Sequence, residues 1–379
     1  MTEVADEIHG YAEFGYEEVR SSALLAAELR GQGLAVTTGV ADLATAFDAV
    51  LEGAADGPAV AILAEYDALP GLGHACGHNL IGAAALGAAV GLAAVKDRLR
   101  GRLHIFGTPA EEGFRPNAGG KVIMHDAGLF KKVDAVMMVH PGDPFSGGGP
   151  SLARDNFRLT FRGRRPAVGR PRWDSVDSQD AMMLTQAAIN VLRQHIPPDV
   201  VIQWMIEKGG ENPNIIPVES VARMYVRASK MDTVQHVVAR VMDCARGAAL
   251  ATGGEVEYRR HAQLYDEVVL NPTINRLFTQ ALRDVGVPED ELGEAPTGPV
   301  QHSNDMGIIT KNVPSMSGRI IVGPRGLVMH TKEATEATNS PAGHRGMVIG
   351  AKSMALVAWR LANDPKLMEQ ARRDLAAAT

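Results

Sequence analysis

One fully apolar run, residues 59–64, constrains the fold of this chain more than any other stretch. The breaker pairs Gly57-Pro58 and Pro70-Gly71 lie on either side of it. A short run that is apolar at every position between turn residues is typical of a strand buried on both faces, as in a parallel sheet. The run therefore predicts a sheet that is covered by helices on both sides.

The segments around this run repeat the same alternation. Short apolar runs predict further strands, and amphipathic or Ala-rich runs predict helices between them. The predicted strands are residues 34–38, 46–51, 103–107 and 134–139, and the predicted helices are residues 17–29, 80–99 and 119–127. Strands that alternate with helices in this way indicate an α/β fold with a mostly parallel sheet.

The pattern changes after a Gly- and Pro-rich stretch, residues 141–150. The next segments predict the order β-α-β-β-α-β, which is typical of a ferredoxin-like α+β unit. From about residue 270 the first pattern resumes, with a predicted helix at 273–285, a Gly/Pro loop around 296–299 and a closing helix at 343–362. We therefore expect a main domain formed by residues 1–152 and 268–379, and a second domain, residues 153–267, inserted into it.

The composition narrows the possible partners and locations. The chain of 379 residues is 45% hydrophobic and 22% charged, which is close to the globular average. The net charge of -6 gives no reason to expect nucleic acid as a partner. No run reaches the roughly 18 apolar residues of a membrane span, so no membrane partner is expected. Two cysteines and an amino terminus without signal-peptide features predict a cytoplasmic protein.

Polar side chains that can carry chemistry follow three of the predicted strands. Glu65 and Asp67 come after the first, Glu111 and Glu112 after the second, and His140 after the third. In open α/β sheets ligands bind outside the carboxyl ends of the strands, so these groups should gather along one edge. The sequence therefore predicts one site built from three loops.

Cys76 and His78 add a thiol and an imidazole in a Gly-broken loop, and such groups with carboxylates bind zinc-like ions. Each also has an ordinary interpretation, because a buried Cys is a small hydrophobe and a His often caps a strand or lies in a loop. The adjacent carboxylates Glu111 and Glu112 favour a metal site, since they repel each other unless a cation is near. One could bind the ion while its neighbour takes a proton from water on that ion.

Seven segments, in this order and spacing, resemble a family of metal-dependent amidohydrolases and peptidases. They are IHGYAEFGYEE, LAEYDALPGLGHACGHN, TPAEEG, VHPGD, GGENPNIIP, SNDMG and MHTKEATEA. That family contains aminoacylases, plant auxin-conjugate hydrolases and aminobenzoyl-glutamate hydrolases, and the chain is most similar to the branch with a Cys metal ligand. The resemblance implies a catalytic main domain with two divalent ions, commonly zinc, manganese or cobalt. It also implies that the inserted domain is a lid that forms a homodimer. The residues alone leave open whether one or two ions bind.

The resemblance implies roles for individual residues. Glu111 is the expected general acid/base. Asp67 is expected to orient one of the metal ligands without binding the metal itself. The implied metal ligands are Cys76, His78, Glu112, His140 and His330. His74 and Asn79 are expected to shape the loop without binding metal.

Candidate substrate contacts lie in the inserted domain and near residue 302. Asn214 is implied by the resemblance, although a turn residue is the ordinary alternative. Arg227 is a second candidate, or a solvated strand charge. Arg165 belongs to an Arg-rich stretch, residues 162–172, that could clamp a substrate carboxylate in a bidentate fork. The alternative for that stretch is a solvated or dimer-contacting loop.

The chain departs from the family pattern after the first lid strand. A Gly-x-x-His-Ala type motif usually stands there, and its histidine stabilises the oxyanion in the partner subunit's site, but here the position falls on Ala167. Loss of one oxyanion donor typically costs about 100- to 1,000-fold in turnover. Three alternatives remain open: impaired turnover, another donor such as His302 or His195, or a substrate whose developing charge is held differently.

The expected function is hydrolysis of a C–N amide bond in a small carboxylate-bearing substrate, such as an N-acyl or N-aroyl amino acid. Metal-bound hydroxide would attack, with Glu111 as general acid/base. One alternative is a hydrolytic deaminase that releases ammonia from an activated aromatic amine or imine on the same metal site. Another is a catalytically inactive binding protein, against which Glu111 and the ligand set argue.

Overall fold

The structure is a computed structural model that describes residues 1–166, 168, 171–294 and 302–379. These residues form two compact units. The first contains Met1–Pro150 and the described residues from Val268 onward, apart from 302 and 303. The second contains Ser151–Glu267 together with His302 and Ser303.

Strands and helices alternate through most of the described chain. The strands are β1 (Ala35–Thr38), β2 (Phe47–Glu52), β3 (Ala55–Ala64), β4 (Arg100–Gly107), β5 (Ala135–Pro141), β6 (Ala153–Arg162), β7 (Val201–Lys208), β8 (Glu219–Ala228), β9 (Glu255–Arg260) and β10 (Ser315–Ile320). The helices are α1 (Thr2–Tyr11), α2 (Val19–Gly31), α3 (His78–Ala93), α4 (Gly120–Asp126), α5 (Ser178–Leu192), α6 (Met231–Thr252), α7 (Pro272–Asp284), α8 (Gly307–Asn312), α9 (Lys332–Ala337), α10 (Pro341–Asn363) and α11 (Pro365–Ala378). No helix within the described residues is both long and apolar enough to span a bilayer.

The first unit is built on a six-stranded sheet with the order β1-β2-β4-β3-β5-β10. Strands β4, β3, β5 and β10 run parallel, whereas β2 is antiparallel to both β1 and β4. The predicted α/β fold with a mostly parallel sheet is therefore confirmed. Helix α3 connects β3 to β4, and α4 lies between β4 and β5. Since β4 and β5 flank β3 on opposite sides, the carboxyl end of β3 is a switch point where ligands bind in such sheets.

Strand β3 is buried on both faces, as the apolar run predicts. Val60, Ile62 and Ala64 belong to a large core that includes side chains of α3 and α10. Ala61 and Leu63 belong to a second core that includes side chains of α4 and α8. The alternation follows from the period of two along a strand, and it means that helices cover both sides of the sheet.

The second unit has the predicted ferredoxin-like order β6-α5-β7-β8-α6-β9. Its sheet has the strand order β7-β8-β6-β9, and each neighbouring pair is antiparallel. Phe157, Leu159 and Phe161 alternate along β6 and are buried in a core with side chains of α5 and α6. This core is separate from those of the first unit, as expected of a unit with its own fold.

One prediction about an individual element is wrong. Helix α3 ends at Ala93, whereas the sequence predicts a helix through residue 99. Strand β4 begins at Arg100, which pairs with Ala55 of β3, so strand pairing overrides the helical tendency of the preceding segment. Strands β1 and β2 form an antiparallel edge of the sheet, which is otherwise parallel and so agrees with the predicted mostly parallel sheet.

Several elements were missed by the sequence analysis: α1, α8, α11 and β10. Strand β10 reads Ser-Met-Ser-Gly-Arg-Ile and lacks a β-branched apolar pattern, but it pairs with β5 from Ser315 to Ile320. Helix α11 was missed because its Ala-rich sequence is typical of an unstructured chain end. Its first turn is capped by Asp364, whose side chain accepts a hydrogen bond from Lys366 N. The predicted Gly/Pro loop at 296–299 lies outside the described residues.

Candidate metal centre

The sheet opens at the carboxyl end of β3. Pairing between β3 and β5 stops at Ile62 and Met137, whereas pairing between β3 and β4 continues to Ala64. The segments that follow β3 and β5 are therefore not tied to each other by strand hydrogen bonds. The polar residues after the three strands are located at this edge of the sheet.

The loop that carries Cys76 and His78 is held in place from both sides. Gly77 has a φ of 79°, and a Cβ there would lie 2.5 Å from Pro141 Cγ, so the turn into α3 requires glycine. From the carboxyl-terminal part of the chain, Thr335 Oγ1 donates to Leu72 O at 2.6 Å. These contacts fix the loop next to the end of β5.

A second set of contacts brings His330 to the same loop. His330 N donates to Ala75 O at 2.9 Å, and Thr338 Oγ1 donates to His74 O at 3.0 Å. His330 has a φ of 65°, which is uncommon for a residue with a side chain and is held here by its surroundings. Asn79 Nδ2 donates to Thr338 O at 3.1 Å. The segment after residue 330 thus clamps the loop.

Three overlapping groups of side chains can each hold a metal ion. They are Cys76, His78 and His140; Cys76, Glu112 and His330; and His78, Glu111 and Glu112. Within each group the candidate ligand atoms lie within 4.8 Å of one another. The structure therefore brings all five predicted ligands, and Glu111, to one centre.

Individual distances describe how tightly the groups are packed. Cys76 Sγ lies 3.4 Å from His140 Nε2, and His330 Nε2 lies 3.5 Å from Glu112 Oε1. Glu111 Oε2 lies 4.0 Å from His78 Nε2. All of these side chains except His330, which is half exposed, are largely shielded from water.

Asp67 orients two members of the centre at once. Its Oδ1 accepts a hydrogen bond from His78 Nδ1 at 2.8 Å, and its Oδ2 accepts one from Glu112 N at 3.0 Å. The first bond assigns the proton of the neutral imidazole to Nδ1, so the lone pair of Nε2 faces the centre. This arrangement is the usual support behind a histidine metal ligand.

The donor set fits a divalent ion. His78 Nε2 and Glu112 Oε1 are buried, and neither has a hydrogen-bond partner among the described residues. Buried polar atoms are nearly always satisfied, so two such atoms at one centre fit a cation that contacts both. Thiolate sulfur, imidazole nitrogen and carboxylate oxygen are the ligands of zinc and related metals.

Charge and burial shift the pKa values of the acidic groups of the centre when no ion is bound. Burial, and then the charge of Glu112, raise the pKa of Glu111 well above its usual range. Burial also raises the pKa of Glu112 and of the Cys76 thiol. The site without metal therefore favours neutral acids, and an ion must displace protons when it binds.

A buried ion cluster next to the centre was missed by the sequence analysis. Lys121 is fully buried in α4, and its Nζ lies 2.5 Å from both Glu65 Oε1 and Asp305 Oδ1. Burial would raise the pKa of Glu65, but Lys121 and His78 lower it below its usual value. Asp305 is in the SNDMG segment, and this motif was the one available signal. Nothing in the helical pattern around Lys121 predicts a buried lysine.

Glu18 supports the turn that presents Glu111 and was also missed. Its Oε1 accepts a hydrogen bond from Ala110 N at 2.9 Å, and its Oε2 accepts one from Thr45 Oγ1 at 2.9 Å. Ala110 has a φ of 56°, and a Cβ on Gly15 would lie 2.7 Å from Ala110 Cβ. The glycine therefore allows close contact with this strained turn. Burial, and then the charge of Asp67, raise the pKa of Glu18 to about 8.

His74 lies inside the loop and not at the metal centre. Its Nε2 is 3.0 Å from Ile8 O, and its ring is buried. Burial, followed by the charges of His78 and His9, lowers the pKa of His74 to about 3. It is therefore a neutral, hydrogen-bonded core residue at ordinary pH.

The candidate substrate residues belong to the second unit. Arg227 is partly buried over the ring of Tyr225, and it hydrogen bonds to Ser303 and Gln203. Asn214, Arg165 and His302 are exposed. Ala167 and Arg170 lie outside the described residues, as does the side chain of Arg172.

Comparison with known sequences identifies the family. A model of peptidase family M20/M25/M40 matches residues 50–357. The Xaa-Arg dipeptidase of Mus musculus is 34% identical over 322 residues, which cover 83% of this chain and 73% of that protein. One component of the p-aminobenzoyl-glutamate hydrolase of Escherichia coli (strain K12) is 33% identical over 319 residues, which cover 76% of this chain and 63% of that one.

Solved structures have the same fold at lower identity. An aminobenzoyl-glutamate utilization protein from Klebsiella pneumoniae has a TM-score of 0.76 at 18% identity, and the match covers 96% of each chain. A dinuclear metal-binding peptidase of the M20 family from Bacillus subtilis has a TM-score of 0.66 at 20% identity, covering 95% of this chain and 97% of the other. With the family model matched over most of its length, this chain belongs to peptidase family M20/M25/M40 and is a metal-dependent hydrolase.

Proposed function

We propose that the protein hydrolyses a C–N amide bond in a small carboxylate-bearing substrate, such as an N-acyl or N-aroyl amino acid. The observation that carries the proposal is the convergence of one thiol, three imidazoles and two carboxylates in overlapping groups at one sheet edge. The Xaa-Arg dipeptidase and the p-aminobenzoyl-glutamate hydrolase are named for substrates whose amide nitrogen belongs to an amino acid. This common chemistry supports an amino acid as the leaving group here.

The proposed metal ligands are Cys76, His78, Glu112, His140 and His330. Cys76, His78 and Glu112 each belong to two of the overlapping groups, which supports two neighbouring ions. The thiolate favours zinc, and the imidazoles and carboxylates also suit manganese or cobalt. Asp67 is the residue behind the centre that keeps Nε2 of His78 available to an ion.

Glu111 is the proposed general acid/base. When bound, the ions would polarise the scissile carbonyl and lower the pKa of a coordinated water toward about 7. Glu111 would take a proton from the attacking water and return it to the leaving nitrogen. Glu111 Oε2 lies 4.0 Å from Nε2 of the proposed ligand His78, and this position beside the ligands supports the role.

Arg227, Arg165, Asn214 and His302 are the proposed substrate-binding residues. The guanidinium groups of Arg154 and Arg227 both lie over the ring of Tyr225, so positive charge is concentrated there. That concentration supports a role in binding the substrate carboxylate. The exposure of the other three supports contact with a ligand. Charge-neutral amide analogues should therefore be poorer substrates than the corresponding acids, and equal turnover would refute this part of the proposal.

We also propose a homodimer formed through the second unit. Met183 and Val191 on α5, and Met205 and Ile206 on the edge strand β7, are large apolar side chains that are exposed. A second copy of the chain would remove them from water. Light scattering should give twice the chain mass for the wild-type protein and one chain mass for Ile206→Lys. A wild-type monomer would refute the dimer.

A cytoplasmic location is proposed on the basis of the thiols. Both cysteines are free, and Cys76 must be reduced in order to bind a metal. Fractionation of cells that express the full protein tests this location.

The adjacent carboxylates provide the sharpest test of the reaction. A panel of N-acyl amino acids would be assayed with zinc, manganese or cobalt, while amino-acid and ammonia release are both measured. Glu111→Gln should lower turnover by about 100- to 10,000-fold or more, with the metal content unchanged. Glu112→Gln, the matched control, should lose bound metal.

Full activity of the Glu111→Gln variant would remove this residue from the mechanism. Ammonia release without amino-acid release would favour the hydrolytic deaminase instead.

A further inference from the structure

A buried chain of charges runs from Asp305 to the metal centre. Lys121 Nζ contacts one carboxylate on each side, Asp305 Oδ1 at 2.5 Å and Glu65 Oε1 at 2.5 Å. Lys121 N also donates to Asp305 Oδ2 at 3.2 Å. Asp305 alone can neutralise the lysine, so Glu65 is not needed as its counterion. A second buried carboxylate calls for another reason, because burying a charge is costly.

The other oxygen of Glu65 faces a proposed ligand atom. Glu65 Oε2 lies 3.3 Å from His78 Nε2, and both side chains are at most 1% exposed. Asp67 holds the opposite ring nitrogen, Nδ1, at 2.8 Å, so Nε2 is the ring atom that faces this oxygen. Buried polar atoms are nearly always satisfied, so two such atoms in contact call for a partner that serves both.

A proton on Nε2 does not satisfy this pair. The two atoms are close enough for a hydrogen bond, but neither has a hydrogen-bond partner among the described residues, so the direction of the contact is unsuitable. A divalent ion has no such requirement, because it contacts donors on several sides at once. The geometry therefore suits an ion that touches Nε2 and Oε2 together.

We propose that Glu65 is a further ligand of the divalent ion that His78 holds. Lys121 and Asp305 keep the Glu65 carboxylate in position from the side opposite the ion. The inference rests on the proposed metal centre, and it adds an oxygen donor to the five ligands assigned there. Because Glu65 directly follows β3, it ties that ion to the central strand of the sheet.

The test measures metal affinity of the full chain after metal removal. Zinc or cobalt would be titrated in competition with a chelating indicator, and the visible spectrum of the cobalt-loaded protein would report its coordination. Glu65→Gln keeps the volume of the side chain and removes its charge. We expect its affinity to fall by at least about 10-fold, as for substitutions around other metal sites, with a changed cobalt spectrum.

The chain offers a matched control in the same sheet. Asp48 is also a buried carboxylate between a histidine and a lysine, 2.8 Å from His104 Nδ1 and 2.6 Å from Lys132 Nζ. Asp48→Asn should destabilise the protein but leave metal affinity within about twofold of wild type, since distant sites act independently.

Each outcome decides the matter. Wild-type affinity and spectrum in Glu65→Gln would overturn the proposal, and so would an equal loss in Asp48→Asn. Where Glu65→Gln does not fold, Glu65→Asp keeps the charge beside Lys121 but shortens the side chain by one methylene. That variant should also bind metal more weakly, and unchanged affinity in it would overturn the proposal. A wild-type protein that binds no ion would refute the proposed function as well, whereas wild-type binding with intact Glu65→Gln affinity refutes only this inference.

Discussion

Replacing Glu18 with glutamine should remove a large part of the pH dependence of stability. Glu18 is completely buried, and its pKa is raised from 4.5 to about 8, first by burial and then by the charge of Asp67. Glutamine can still accept from Ala110 N through its Oε1, and its Nε2 can donate to Thr45 Oγ1, which reverses the direction of the second bond. Glutamine therefore mimics the protonated acid.

The raised pKa makes the folded protein hold a proton that the unfolded chain releases. The stabilising contribution is fully present below about pH 4.5 and is lost as pH rises toward about 8. Each pKa unit corresponds to about 1.4 kcal/mol, so the free energy of unfolding should fall by roughly 1.4 kcal/mol per pH unit between these values. Relative to wild type, Glu18→Gln should gain about 2 to 3 kcal/mol between pH 5.5 and 7.5.

Urea denaturation of the metal-free protein, followed by circular dichroism at several pH values, measures this difference. Glu13→Gln is a suitable control, because Glu13 accepts hydrogen bonds from Ser21 N and Oγ in the same segment but is only partly buried. Its profile should run parallel to that of wild type. A parallel profile for Glu18→Gln would mean that Glu18 is ionised in the folded protein, and the reasoning would be wrong.

Two further predictions concern the loop that carries Cys76 and His78. Gly77→Ala should lower the free energy of unfolding by about 1 to 3 kcal/mol and weaken metal binding, because it forces a side chain into a φ of 79° and against Pro141. Denaturation and metal titration of the same sample measure the two effects. A variant as stable as wild type would contradict the geometry. Burial raises the pKa of the Cys76 thiol, so this group should lose its proton when a metal binds. Calorimetry in buffers of different ionisation enthalpy should find that Cys76→Ala releases about one proton fewer than wild type on metal binding. Equal proton release would exclude the thiolate as a ligand.

The sequence predicted those parts of the fold that depend on local pattern. The run at 59–64 is apolar throughout, and it forms the end of β3 with both faces buried. The strand-end positions of Glu111 and His140 followed from the same pattern, since parallel strands bring their carboxyl ends to one edge. His330 is different, because its loop carries no periodic signal and only the family resemblance suggested a role.

The missed residues depend on contacts that are distant in sequence. Lys121 occupies a helical turn where a lysine is normally solvated, and its burial follows only from Glu65 and Asp305 on other elements. Glu18 stands in a Glu-Glu pair that reads as a charged surface, although it supports Ala110 from 92 residues away. In the same way β10, with its serines and glycine, is held by pairing with β5 and not by its own β-propensity.

The hydrogen bonds from the segment around Thr338 to the loop that carries Cys76 and His78 have a consequence for how the protein is made. The bonds from Thr338 Oγ1 to His74 O and from Asn79 Nδ2 to Thr338 O join residues 264 and 259 positions apart. A nascent chain therefore cannot complete the metal loop until the segment around Thr338 has left the ribosome. Because only the finished fold offers the site, an ion at 1,000 times its dissociation constant would add about 4 kcal/mol to native stability. Metal supply would then determine how much newly made protein survives proteolysis as well as how active it is.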